Sequence, residues 1–262
     1  MLLAIDAGNT ITIFAVFDGN DLRGVWRQPS DARRTADEYA NFLESAMRRD
    51  GVDPKSIDQA IIASVVPSAN FNLSRLCTDK FSARPLIIGE DGVYLGIEVL
   101  LDRPEDVGAD RLVNAVAAYD TVGGPLIVVD FGTATTFDVV DSEGNYRGGA
   151  IAPGVSLSLE ALHQAAAKLP KVDVVRPPYV IGKTSVAAMQ AGIFWGYVGL
   201  IEGLVGRMRA EMIGAGIGAP RSVMATGPLA TLFAQATTVI DKVDDDLTLR
   251  GLNIINQLNR SP

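Results

Sequence analysis

The sequence predicts an α/β protein made of two similar halves. Three observations carry that reading. A stretch near the start recurs near the middle, both copies are β-rich and punctuated by Gly, Asn and Asp, and helical patterns follow each copy. The copies are LLAIDAGNTITIFAVFDGND at 2–21 and PLIVVDFGTATTFDVVDSEGN at 125–145. Each has an apolar run ending in an aspartate (Asp6, Asp130), a glycine two residues on (Gly8, Gly132), a second β-rich run and a turn signal. Such runs bounded by turn residues read as hairpins. Third strands are expected at 22–28 and 146–151.

The elements then follow in order. Residues 35–49 form an amphipathic helix with Tyr39, Phe42, Leu43 and Met47 on one face, and Thr35 with Glu38 makes a capping-box pattern. Residues 61–67 (IIASVVP) and 85–88 read as strands. Helices are expected at 111–119, 156–168, 185–212 and 229–236, with a short strand at 222–225 and a last helix at 249–258. No Gly/Ser-rich or charged linker separates the halves. The boundary is expected near Gly123-Gly124, giving domains 1–123 and 124–262 with a cleft between them, the final helix packing back on the first.

Composition narrows the chemistry. The chain has 262 residues, 48% hydrophobic and 21% charged, with 26 Gly and 13 Pro, an ordinary globular balance. A formal charge of −8 argues against a general nucleic-acid surface, which needs a basic face. Cys77 is the sole cysteine and His163 the sole histidine, so an intramolecular disulfide is excluded, as are a zinc site, Ser-His-Asp triad or Cys-His dyad using any other histidine. The opening MLLAIDAGNT lacks a cationic leader, and the longest apolar stretch, 193–200, is too short for a bilayer, so a reducing cytoplasm is expected. Chemistry must come from carboxylates, hydroxyls, backbone amides or a hard cation.

Four segments carry such groups, each with a plainer alternative. Asp6-Ala7-Gly8-Asn9-Thr10 ends a strand; its glycine admits a phosphate close to the backbone, and its carboxylate can reach a hydrated Mg²⁺, though the same residues make a good hairpin turn. The segment 130–136 (DFGTATT) repeats that chemistry with more hydroxyls, as a two-jawed phosphate clamp requires. Gly108-Ala109-Asp110-Arg111 offers a carboxylate to accept a hydroxyl proton beside a guanidinium, or a helix N-cap with a surface arginine. The glycine-dense 148–154 suits a crowded substrate wall, an anion at a helix start, or a simple connector. Thr226-Gly227-Pro228 follows a strand where nucleotide folds often seat adenosine. His163, Cys77, Trp26 and Trp195 read as packing residues, and Arg33-Arg34 as a solvated pair.

Together these segments resemble the superfamily of acetate kinase, sugar kinases, Hsp70 and actin, and within it the type III pantothenate kinases. The match extends over 6–10, SVVP at 64–67, 108–111, 130–136, 148–154 and LTLRGL at 247–252. The resemblance implies duplicated ribonuclease-H-like (actin-like ATPase) domains with an interdomain nucleotide cleft. It also implies transfer of the ATP γ-phosphate to pantothenate, the first step of coenzyme A synthesis. Carried over by motif, Asp6, Ala7, Gly8, Asn9, Thr10, Ile11, Thr12 and Ile13 cradle ATP, with Asp6 on Mg²⁺ and Thr133 a further ATP contact. Gly108, Ala109, Asp110 and Arg111 bind pantothenate, as does Ser185, and Asp110 is the proton acceptor. Asp130 holds a monovalent cation, K⁺ or NH₄⁺. The family is homodimeric, its substrate pocket near the subunit interface. This chain departs from the family pattern at Leu101 (often Tyr), at Thr184-Ser185 (usually Asn-Thr) and at Pro228 (usually Gly), where proline removes an N–H.

Phosphoryl transfer relies on positioning and charge neutralisation, which metal, turn amides and hydroxyls supply without a Walker lysine. No large pKa rise is expected at Asp110 if it accepts the proton late. The rival readings are a non-catalytic nucleotide-binding accessory or regulatory member of the same family, against which Asp6, Asp110, Arg111 and Asp130 argue, and a sugar or acetate kinase, disfavoured by 108–111 and the short length.

Overall fold

A computed structural model describes residues 1–165 and 169–260. They fall into two units: Met1–Glu98, Asp102–Ala117 and the segment from Leu247 onward form one; Val99–Leu101 and Ala118–Asp246 form the other.

The first unit opens with an antiparallel meander, β1 (Leu2–Ala7), β2 (Ile11–Asp18) and β3 (Asp21–Pro29). Helix α1 (Ala36–Arg49) follows, its capping box complete: the Thr35 side chain accepts the Glu38 N–H, and the Glu38 carboxylate accepts the Thr35 N–H at 2.8 Å. Strand β4 (Gln59–Ser64) is parallel to β1. It stops short of the expected 61–67 because Pro67, with no N–H to give a sheet, starts helix α2 (Pro67–Arg75), which the sequence reading missed. Strand β5 (Pro85–Ile87) and helix α3 (Ala109–Val122) complete this stretch. The sheet order is β3-β2-β1-β4-β5.

The second unit repeats the plan with β6 (Leu126–Phe131), β7 (Ala134–Val140) and β8 (Tyr146–Pro153), then helices α4 (Val155–Ala165) and α5 (Ser185–Gly214), strand β9 (Ser222–Thr226), helix α6 (Ala230–Ala234) and strand β10 (Lys242–Val243). Residues 166–168 of the expected helix 156–168 lie outside the described residues. Sheet order is β8-β7-β6-β9-β10, the same topology strand for strand, with the first two pairings antiparallel and the last two parallel in both units. Even the register breaks fall alike, at Val16/Phe17 and at Asp138/Val140. By length and composition α5 could cross a membrane. Here it is a core helix: Phe194, Tyr197, Val198, Ile201 and Val205 are buried against β6, β7 and β9, with Phe194 stacked on Phe233.

Alternation along β1 and β2 divides the first sheet between two cores. Leu3, Ile5, Phe14 and Val16 pack with α1 and α2. Leu2, Ala4, Ala15 and Phe17 pack with Val113 and Val116 of α3 and with Leu249, Leu252 and Ile255 of the last helix, α7 (Leu247–Leu258). The α7–α3 approach is close. A Cβ on Gly251 would stand 2.3 Å from the Val113 carbonyl oxygen, and the Thr248 hydroxyl donates to Asn114 Oδ1 at 2.7 Å.

In an open helical site, Gly→Ala gains roughly 1 kcal/mol from helix propensity. Gly206 of α5 is such a site, with nothing within 4 Å of a built Cβ. Urea unfolding should show Gly206→Ala stabilising by up to about 1 kcal/mol and Gly251→Ala destabilising by about 1–3 kcal/mol, because the backbone carbonyl in its way cannot rotate aside.

Candidate active site

Asp6 is the half-buried residue of a strand whose other members, Leu2 to Ala7, are all buried; Asp130 holds the same place in β6. Asp6 pairs with Ile13 and Ala63, which puts it on the face that carries α3 and α7. The turn after it is Gly8, Asn9 and Thr10. The Gly8 N–H donates to the Ile11 carbonyl at 3.1 Å, and a Cβ on Gly8 would sit 3.0 Å from that oxygen. Asn9 and Thr10 are exposed, whereas Thr12 is buried in β2 with its hydroxyl 2.9 Å from Ser30 Oγ. Ile11 and Ile13 are strand residues, so within 6–13 the turn amides and the Asp6 carboxylate are the groups suited to an anion and its cation.

The Gly108–Arg111 segment lies at the same end of this unit. The Val65 N–H donates to the Ala7 carbonyl at 3.1 Å, and a Cβ on Gly108 would be 3.5 Å from Val65 Cγ1. The SVVP segment thus adjoins both. The Gly108 carbonyl accepts the N–H groups of Arg111 and Leu112, at 3.1 and 3.4 Å, so Gly108 occupies the capping position and Asp110 is the second helical residue. The N-cap reading of Asp110 is therefore overturned. Its Oδ1 accepts the Arg111 N–H at 2.8 Å. Burial pushes the Asp110 carboxyl above the ordinary carboxylate range, with the Arg111 N–H and guanidinium pulling the other way. The sequence expects no large rise at Asp110, and the rise here is one that the Arg111 N–H and guanidinium partly offset.

In the second unit, Asp130 pairs with Thr136 and Thr226 across the sheet. Gly227 follows at φ +92°, and a Cβ there would stand 2.9 Å from both Asp130 Oδ1 and the Phe131 carbonyl. Only glycine fits this cradle, which gathers a carboxylate and a carbonyl oxygen. Such hard oxygen donors suit K⁺ or NH₄⁺. Among the described residues no group of three or more His, Cys, Asp or Glu could hold a metal ion. A divalent ion at Asp6 would therefore complete its shell with phosphate and water oxygens. Thr133 is exposed at the β6–β7 turn, braced by the Gly154 N–H, which donates to its carbonyl at 3.1 Å. A Cβ on Gly154 would lie 2.2 Å from that oxygen. Ser185 is the exposed first residue of α5, and Thr184 caps the helix by accepting the Ala187 N–H. Leu101 packs on Gly148, whose Cβ would lie 3.1 Å from Leu101 Cδ2.

One residue that sequence reasoning passed over also shapes the site. Ser30 grips the first turn. Arg34, expected to be solvated, is half-buried, bonds Gln28 and stands 5.5 Å over the Tyr39 ring. Asp138, buried in β7, accepts the Tyr146 hydroxyl at 2.7 Å. Cys77 is fully buried, its thiol pushed up to about 12, and is no nucleophile. His163 Nδ1 lies 2.6 Å from the Leu169 carbonyl.

Comparison with known proteins agrees with this architecture. A family model described as type III pantothenate kinase matches residues 2–207. A type III pantothenate kinase of Paramagnetospirillum magneticum is 60% identical over 262 residues, all of this chain and 99% of that protein. The one from Rhodospirillum rubrum is 60% identical over 260 residues, 99% of each. Among solved structures, a Campylobacter jejuni protein named for the Baf family of transcriptional activators aligns with TM-score 0.61 and 18% identity over 98% of each chain. An inorganic polyphosphate/ATP-glucomannokinase from Arthrobacter gives 0.51 and 15% over 99% of each. These structures share the fold, and at such identity the fold alone. With the family model spanning most of its length and relatives matching end to end at 60% identity, the chain belongs to the type III pantothenate kinases.

Proposed function

We propose that Asp110 accepts the proton of the pantothenate hydroxyl during the ATP-dependent phosphorylation that this family performs. The hydroxyl oxygen attacks the γ-phosphorus, the bond from that phosphorus to the β,γ-bridging oxygen breaks, its electron pair leaves with ADP, and the proton passes to Asp110. The observation that carries this is the half-buried carboxyl at the head of α3, raised by desolvation yet hydrogen bonded to its neighbour's amide. A carboxylate so shielded is a stronger base than one in water. Arg111 is assigned to the anionic oxygens, Gly108 and Ala109 to close backbone approach, and Ser185 to a further hydroxyl contact with pantothenate.

Asp6, at a turn of exposed Asn9 and Thr10, is assigned to Mg²⁺, and Gly8, Asn9 and Thr10 to the phosphates of ATP; Thr133 is assigned a second nucleotide contact. Asp130 with the Phe131 carbonyl is assigned to K⁺ or NH₄⁺. These cations, when bound, neutralise charge on the triphosphate and let an acidic chain hold it. A homodimer is supported by a run of exposed apolar side chains in the second unit, Tyr179, Val180 and Ile181, at 76%, 65% and 83% exposure. The cytoplasm, where ATP and coenzyme A precursors meet, is the location that fits.

An ADP-release assay with pantothenate, ATP, Mg²⁺ and K⁺ tests the assignment. Asp110→Asn should lower kcat by about 10²–10⁴-fold, the usual worth of a general base. Near-normal kcat would remove Asp110 from that role. Its effect on stability has a definite sign. Folding raises this carboxyl's pKa, so its contribution favours folding below the unfolded value of about 3.9 and is lost as pH rises through the folded value. Where the carboxyl is ionised it weakens the fold, and Asp110→Asn should melt there at the same temperature as the native chain or higher. Separately, replacing K⁺ by Na⁺ should depress turnover; equal rates in the two salts would contradict the role of Asp130.

A further inference from the structure

We propose that Ser30 is a positioning residue that orients the Gly8–Thr10 turn toward the phosphates of ATP; this rests on the reading of that turn as the phosphate cradle. Ser30 is the first residue beyond β3, and no motif marks it. It holds the turn at two carbonyls. Its N–H donates to the Thr10 carbonyl at 2.9 Å, and its hydroxyl donates to the Gly8 carbonyl at 2.6 Å.

Planar trans peptides make those bonds directional. The C=O of one residue and the N–H of the next point opposite ways across the same peptide. Drawing the Gly8 carbonyl toward Ser30 therefore turns the Asn9 N–H away from it, and the Thr10 bond does the same for the Ile11 N–H. Ser30 thereby sets the direction in which this turn donates. The absence of a Cβ at Gly8, where one would approach the Ile11 carbonyl at 3.0 Å, lets the turn close this tightly.

The hydroxyl is itself held. Because its hydrogen goes to Gly8, the Thr12 hydroxyl, 2.9 Å away, donates to Ser30 Oγ. Thr12 is itself buried. The chain Thr12 → Ser30 → Gly8 runs one way from β2 to the turn, and each donor polarises the next.

The test is steady-state kinetics with both substrates varied. Ser30→Ala should raise the KM for ATP about tenfold while the KM for pantothenate stays within twofold. Ser30→Thr, which keeps the hydroxyl, should restore the ATP KM to within threefold of the native value. A purely structural role would instead lower the melting temperature and shift both KM values together, without rescue by threonine, and that result overturns the proposal. An unchanged ATP KM in Ser30→Ala also overturns it. Should Ser30→Ala not fold, Thr12→Val carries the test, since it removes the buried hydroxyl that holds Ser30 Oγ. A rise of twofold or more in the ATP KM supports the proposal, and no change overturns it. Asp6→Asn, assayed alongside, separates the two levels. If it weakens ATP use while Ser30→Ala does not, the inference about Ser30 alone fails; if it leaves ATP use intact, the cradle reading itself fails.

Discussion

A carboxylate kept partly out of water at the head of a helix is the constraint on which the first unit is organised. Asp110 is raised by desolvation, and the neighbouring amide of Arg111 and its guanidinium keep that rise in check. Holding a charged group there demands a rigid α3. Rigidity comes from behind: α7 presses Gly251 against the Val113 carbonyl, and Thr248 ties Asn114. The LTLRGL segment, distant in sequence, thus supports the helix that carries the acid.

The same economy of design appears twice over in the strands. In both units the central strand is buried except for one aspartate near its end, and the turn beyond it begins with glycine. Apolar residues anchor the strand, leaving the last turn to present one carboxylate and several amides. Duplicated topology lets the two copies diverge. The first turn is gripped by Ser30, while the second has the Gly227 cradle against Asp130 and the Gly154 brace under Thr133.

Much of this was legible from residues alone, and the reasons differ by element. The repeat was visible because β-branched runs, acid and glycine recur in the same order. The start of α1 was visible because Thr35 and Glu38 are a local pair whose partners are three residues apart. Helix α2 was missed because Pro67 reads as the end of a strand as readily as the start of a helix. The Asp110 cap reading failed for a similar reason: Gly108 caps through its backbone, which no side chain announces. Ser30, Gly251 and Gly227 were invisible as partners because each acts on a backbone atom brought near only by the fold. The shift at Asp110 depends on burial at the head of α3, which local sequence does not encode.

The account stands on Asp110 being a base made stronger by its surroundings, and its titration can be read directly. Carbon-13 NMR of protein labelled at aspartate Cγ, assigned with Asp110→Asn, should give a midpoint for Asp110 above the ordinary value of about 3.9. The acid limb of kcat/KM for pantothenate should fall at the same midpoint. A midpoint at or below the ordinary value, or an acid limb unmoved in Asp110→Asn protein that remains fully active, would contradict it.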